Sequence, residues 1–249
     1  MKSLSSTHAA IFHKTLVLDI ETVPCQERWQ QLGGAFQKHW QHKAEHISLT
    51  EEEQGHPDRS FESRAGIYAE FGKVVCIGLG LFTKDEQGKW AKIRLKSLAN
   101  HDEKALLSEF AKTVQAFVQI NKEIIFCGHN IREFDIPFLC RRFLINGLPL
   151  PDCMDFGGMK PWQIPMEDTL QLWRFGDYKH YTSLDLLATV LALPSSKTNM
   201  DGSQVADVYW KEKNLEKIAD YCLQDIYTTA LVYLKLKGWQ GDLPKAEKA

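Results

Sequence analysis

The stretch Leu16-Val17-Leu18-Asp19-Ile20-Glu21-Thr22 constrains this chain more than any other. Its apolar, β-branched start reads as a central strand over residues 14–20, buried on both faces. Side chains alternate along a strand, so Asp19 and Glu21 project to one face, two residues apart. Two carboxylates side by side repel, and desolvation penalises them unless they are protonated or neutralised. A divalent cation between them removes that penalty, and hard oxygen donors suit Mg²⁺ or Mn²⁺. Taken alone, the pair also reads as a strand end emerging into water before Pro24.

Two further segments carry acids in comparable settings. Residues 123–127 form a short apolar strand, Gly128-His129-Asn130 turns, and residues 134–144 have helical periodicity through Phe134, Phe138, Leu139 and Arg142. Asp135 therefore falls in the first turn of a helix, where the helix dipole favours an acid whatever its use, and Pro137 suits a helix start. Near the C-terminus, Leu215, Ile218, Cys222, Ile226, Ala230 and Tyr233 mark the buried stripe of an amphipathic helix. Tyr221 and Asp225 are four residues apart, so they stack on one face at the border of that stripe. By themselves they read equally as a half-buried core aromatic and a solvated acid.

The wider pattern fixes the fold class. Strands at about 73–83 and 91–96 follow the first and suit an antiparallel meander. A helix over 102–120, the strand at 123–127 and helices at 134–144, 168–174, 183–192 and 214–236 complete the series. Asp168 reads as the N-cap of the 168–174 helix, with Gln171 reaching back. Antiparallel strands followed by strand–helix units indicate a mixed sheet flanked by helices. Residues 25–70 are polar and partly helical and read as an insertion over the active-site side. Residues 241–249 read as a polar tail, and nothing marks a second domain or an internal repeat, so the expectation is one domain over 1–249.

In these motifs taken together, the chain resembles the DEDD superfamily of 3′–5′ exonucleases, named for four acids in three motifs. It is most similar to the proofreading exonuclease domains of family-B DNA polymerases and to stand-alone bacterial proteins related to them. Asp19-Ile20-Glu21-Thr22 resembles the first motif, Asn130 with Asp135 the second, and Tyr221 with Asp225 the third. The likeness extends to Phe71-Gly72-Lys73-Val74-Val75-Cys76-Ile77, Asp168-Thr169-Leu170, Ser183-Leu184-Asp185-Leu186-Leu187 and Asp201-Gly202-Ser203-Gln204-Val205, over roughly residues 14–237. The histidine branch of the superfamily places His five residues before the last acid, and here that position is Asp220. The tyrosine branch places Tyr four before, and here that is Tyr221.

The resemblance implies a ribonuclease H-like, five-stranded mixed sheet and a pair of divalent cations, Mg²⁺ or Mn²⁺. It implies that Asp19, Glu21 and Asp225 hold one ion, that Asp19 bridges to the other, and that Asp135 acts largely through coordinated water. It also implies that Tyr221 orients the attacking water and that Ile20, Thr22, Asn130 and Phe134 hold terminal nucleotides. Phe134 would stack on a base, or simply pack in the core at its helix start. The expected substrate is the 3′ end of single-stranded nucleic acid, DNA favoured over RNA. An exoribonuclease of the same branch and a catalytically silent nucleic-acid-binding module are the alternatives.

Composition bounds the rest. A net charge of −2 argues against a high-affinity duplex scaffold, which relies on many Lys and Arg phosphate contacts. It does not argue against a nuclease whose bound metals supply local positive charge. Arg141 and Arg142 form a basic pair that would steer a strand or simply face water. The six cysteines show no CxxC spacing and several lie in apolar runs, which suits reduced core thiols and the cytoplasm. No apolar stretch is long enough for a membrane span, and residues 1–10 lack a signal-peptide core. His39, His42 and His46 recur at helical spacing beside Lys43 and Glu45 and read as a wet helix face.

Overall fold

The apolar run becomes β1 (Thr15–Pro24), the strand on which both layers of the molecule rest. The computed structural model describes residues 11–194 and 200–249. Residues 1–10, where the expectation about a signal peptide falls, lie outside the described residues. β1 pairs antiparallel with β2 (Gly72–Lys84), which pairs antiparallel with β3 (Trp90–Ala99). On its other side β1 pairs in parallel with β4 (Ile125–Gly128), which pairs in parallel with β5 (Met166–Asp168). Three antiparallel strands followed by parallel ones are the ribonuclease H-like arrangement expected.

The strand count needs a correction. The sheet has six strands, not five, in the order β5-β4-β1-β2-β3-β6. β6 (Lys245–Lys248) pairs in parallel with β3, within the stretch that reads as a polar tail. Its sequence carries no strand pattern; the open edge of β3 supplies the hydrogen bonds, and Lys92 pairs with Glu247 at 3.3 Å. Tertiary context has overridden propensity.

Between β1 and β2 lie α1 (Gly34–Ala44) and α2 (Pro57–Arg64). After β3 come α3 (Glu103–Asn121), α4 (Asp135–Ile145), α5 (Thr169–Arg174), α6 (Leu184–Val190) and α7 (Leu215–Leu236). Side-chain caps start four of them: Asp102 accepts from Ala105 N, Asp168 from Leu170 N, Ser183 from Leu186 N and Asn214 from Lys217 N.

Alternation along β1 assigns the layers. Leu16, Leu18 and Ile20 pack with Leu106 and Phe110 of α3 and with Phe138 and Leu139 of α4. Val17 packs with Leu223, Ile226 and Ala230 of α7, and Val23 with Ile218 and Cys222 of the same helix. Each fully buried Leu or Ile contributes about 1.5–3 kcal/mol over an exposed one, so β1 alone ties both helix layers down. Asp19 and Glu21 fall between Val17 and Val23 on the α7 face. That helix lies close against β2 because Gly78 and Gly80 have no side chain there. A Cβ on Gly78 would meet Cys222 Sγ at 2.7 Å, and one on Gly80 would meet Ile226 Cγ2 at 2.6 Å.

Arg142 also departs from expectation. It is not part of a basic surface pair: it is buried, donating from Nε to Glu103 Oε1 at 2.8 Å and from Nη1 to the Ala69 carbonyl at 2.8 Å. Residues 25–70 begin where β1 ends and build their own small core from Leu32, Trp40, Phe61, Ala65 and Phe71.

Candidate active site

The site forms where β1 outruns its parallel neighbour. β4 pairs with Thr15, Leu16 and Val17, so among the described residues the second half of β1 has no strand partner on that side. Asp135, at the start of α4, fills the vacated position and its Oδ1 accepts from the Ile20 amide at 3.1 Å. On the other edge the β1–β2 register shifts between Glu21 and Thr22. Such a bulge twists a strand and re-aims its side chains, and it falls at the second acid.

Electrostatics show how close the acids are. Burial, then the charges of Asp135 and Asp225, push the Asp19 carboxyl well above the usual carboxylate range. Burial, then Asp19 and Asp225, do the same to Glu21. The Asp135 carboxyl is pushed up to about 7, chiefly by burial, against backbone amides that favour its ionised form. Tyr221 donates to Asp225, and burial followed by the Asp225 and Glu21 charges raises its phenol far above the ordinary value. Asp19, Glu21, Asp135, Tyr221 and Asp225, drawn from three distant parts of the chain, are thus brought into one field. Asp220 is elsewhere: its carboxylate meets Lys248 at 2.6 Å on the surface.

Ile20, Thr22, Asn130 and Phe134 adjoin these acids in the chain. Ile20 commits its amide to Asp135 and its side chain to the core, while Thr22 is half-buried beside the bulge. Asn130 adopts the left-handed region at φ 64°, and its carbonyl accepts from Phe134 N at 3.0 Å. Phe134 packs against the core, with its ring 5.5 Å from that of Phe138.

Three further residues support the site in ways the sequence did not assign to them. Asp168 is more than a helix cap: Oδ1 also accepts from Asn130 N at 3.0 Å and Oδ2 from Arg132 N at 3.1 Å, which fixes the turn before Asp135. Burial, above all, lowers the pKa of His129 from the ordinary imidazole value. Nε2–H donates to the Thr182 carbonyl at 2.9 Å, and Nδ1 lies 2.9 Å from the Thr169 hydroxyl, which also reaches the Gly128 carbonyl at 3.2 Å. This anchors the 181–183 stretch beside the acids, where Tyr181 lies against the His129 ring. Cys222, buried on α7, places Sγ 3.5 Å from Asp19 Oδ2. The local signals were the cap pattern and the Asp168-Thr169-Leu170 likeness for Asp168, the adjacency of His129 to Asn130, and Tyr221 beside Cys222.

The donor set suits a divalent cation. Asp19 and Glu21 offer carboxylate oxygens that, with Cys222 Sγ, lie within 4.8 Å of one another. Buried acids that raise one another's pKa are a place where positive charge is favoured.

Residues 67–249 match the model of a family described as predicted 3′–5′ exonucleases related to the exonuclease domain of PolB. The chain belongs to that family. The matched stretch holds Asp135, Tyr221 and Asp225; Asp19 and Glu21 precede it, and the fold brings them to the same place. The family B DNA polymerase from the hyperthermophilic archaeon Pyrobaculum calidifontis is similar in structure, with a TM-score of 0.53 at 15% identity. The likeness covers 89% of this chain and 24% of the polymerase, and at that identity it speaks to the fold alone. No curated protein matches the chain.

Proposed function

We propose that this member of the exonuclease family is a metal-dependent 3′–5′ exonuclease that removes nucleoside 5′-monophosphates from single-stranded DNA. The observation that carries the proposal is the meeting, at the end of β1, of the Asp19 and Glu21 carboxylates, whose oxygens lie within 4.8 Å of one another and of the Cys222 thiol, with Asp135 set on the Ile20 amide beside them. Asp19, Glu21 and Asp225, with Asp135, would hold two divalent ions, Mg²⁺ or Mn²⁺. When bound, such ions stabilise charge on the attacking and leaving oxygens of an in-line displacement.

The residues do the positioning. Tyr221 stays a phenol at neutral pH, so it is no base. Its O–H is given to Asp225, and its oxygen lone pairs accept from a water and aim it at phosphorus. Asp135 braces the strand through the Ile20 amide, and Asp168 and His129 brace the turn from which Asp135 issues. Thr22, Asn130, Phe134 and the Ile20 backbone form the wall for the terminal nucleotides. The chain would act as one catalytic unit, and its six free thiols suit the cytoplasm.

A time course on single-stranded DNA labelled at the 3′ or the 5′ end, with Mn²⁺, Mg²⁺ or chelator, tests this reading. Stepwise loss from the 3′ end with metal alone is expected. A matched RNA oligonucleotide separates DNA from RNA preference. No cleavage of either would leave a binding module in its place.

A further inference from the structure

The face of α1 that the sequence presents as wet histidines acquires a different meaning in three dimensions. His42 and His46 are four residues apart, at the end of a helix, with Glu45 between them. One ligand atom from each of the three lies within 4.8 Å of the others. The His42 and His46 rings stand edge to face with centroids 4.9 Å apart.

The His42–Glu45 separation is informative. Nδ1 and Oε2 are 3.4 Å apart, longer than the roughly 2.7–2.9 Å of a charge-assisted hydrogen bond. A tetrahedral ion about 2.05 Å from each donor spaces those donors by about 3.35 Å, the edge of the tetrahedron. The observed separation thus matches one edge of such a coordination polyhedron. His46 completes a face by rotation of an exposed side chain, which meets only ordinary rotamer barriers.

The platform beneath is rigid. Trp40, one turn back on α1, is fully buried and donates from Nε1 to Ser60 Oγ at 3.1 Å. Its ring packs edge-on against Phe61 and Phe71. The nearest cation in sequence, Lys43, is drawn aside, its Nζ 4.1 Å from the centroid of the Tyr68 ring. His42 and His46 face an open groove of about 660 Å³ that His39 and Glu70 also line.

We propose that His42, Glu45 and His46 form a binding site for a divalent transition-metal ion, separate from the carboxylates at the end of β1. Two imidazole nitrogens and one carboxylate oxygen favour Zn²⁺, Ni²⁺ or Cu²⁺ over Mg²⁺, whose preference is for oxygen alone. Bridging positions four apart, the ion would fasten the last turn of α1, where the helix gives way to the turn at Glu45, and so stiffen the 25–70 segment. The inference does not depend on the nuclease reading.

The test is a ZnCl₂ titration of the whole protein in saturating Mg²⁺, which occupies oxygen-only sites. Imidazole Cε1–H NMR signals and titration calorimetry give the readouts. The His42 and His46 signals are expected to shift together and saturate, with the same response in Asp19→Ala. Each of His42→Ala and His46→Ala should weaken binding by about tenfold or more, in line with the loss of a ligand. Both positions are exposed, so the variants keep the fold, which the dispersion of the same spectra verifies. Shifts spread without saturation over the protein's nine histidines, or unchanged binding in His42→Ala or Glu45→Gln, would overturn the site.

Discussion

Glu103 and Asp19 are both acids near the central sheet, and the molecule treats them in opposite ways. Glu103 is buried against α4, where its oxygens accept from Arg142 Nε at 2.8 Å, Val74 N at 2.7 Å and Asn146 Nδ2 at 2.9 Å. A fixed cation and neutral donors surround it. Asp19 sits on the α7 face with Glu21 beside it and the charges of Asp135 and Asp225 upon it. Burial alone therefore does not mark a functional acid. The partners differ: Glu103 is given an arginine, whereas Asp19 and Glu21 face the charges of other acids with no arginine among the partners named above, the arrangement the proposed cation site would use.

Four substitutions and one titration sharpen that contrast. Asp19→Ala should lower hydrolysis by about 10³-fold or more, because a metal contributes several kcal/mol to the transition state. Its melting temperature without metal should equal or exceed that of the wild type, since it removes a repelled charge. Loss of folding instead would place Asp19 with Glu103 as a structural acid. Arg142→Ala should do the reverse, costing about 3–5 kcal/mol of stability by leaving Glu103 buried and unpaired. Urea unfolding would measure it, and a loss under 1 kcal/mol would break the comparison.

Tyr221→Phe should retain metal binding and reduce kcat by about 10²-fold, the scale for losing a positioning group; unchanged kcat removes it from the site.

The pH dependence should distinguish the two acid sets as well. The Asp19, Glu21 and Asp135 carboxyls are raised in the folded protein, so their contribution to stability is full below the ordinary carboxylate range. It is lost as pH rises from about 4 through the folded values, about 7 for Asp135. The gain in melting temperature on adding Mn²⁺ should therefore be larger at pH 8 than at pH 5, and equal gains would contradict the buried repulsion. Glu53 behaves in the other sense. Its carboxyl, bound to Arg64, is lowered to about 2, and it stabilises above its ordinary value until acid protonates it. At the small end, Asp220→Asn breaks an exposed pair with Lys248 and should change stability by less than about 1 kcal/mol, with activity intact.

How much of this was legible in the sequence follows from range. β1 and α7 announce themselves through local periodicity, and so does Asp168 as a cap, because these are short-range regularities. The convergence of Asp19, Asp135 and Asp225 was legible only through motif order. Periodicity says nothing of a meeting between residues 115 positions apart, such as Ile20 and Asp135. The same limit hid the second use of Asp168, the thiol beside Asp19 and the burial of Arg142, whose partner Glu103 lies 39 residues away. β5 and β6 escaped because three and four residues are too short to show a pattern; their neighbours' edges impose the extended conformation.

The short outer strands also bear on how copies of this chain meet. A mixed sheet ordinarily offers each flank to any passing extended peptide. Here one flank is a three-residue strand, and the other is a four-residue strand in which Lys245, Glu247 and Lys248 leave only Ala246 uncharged. Neither provides the long, flat, apolar ladder on which a second molecule could template itself. At the concentrations needed for crystallisation or NMR, these two flanks should resist growing from one molecule into the next.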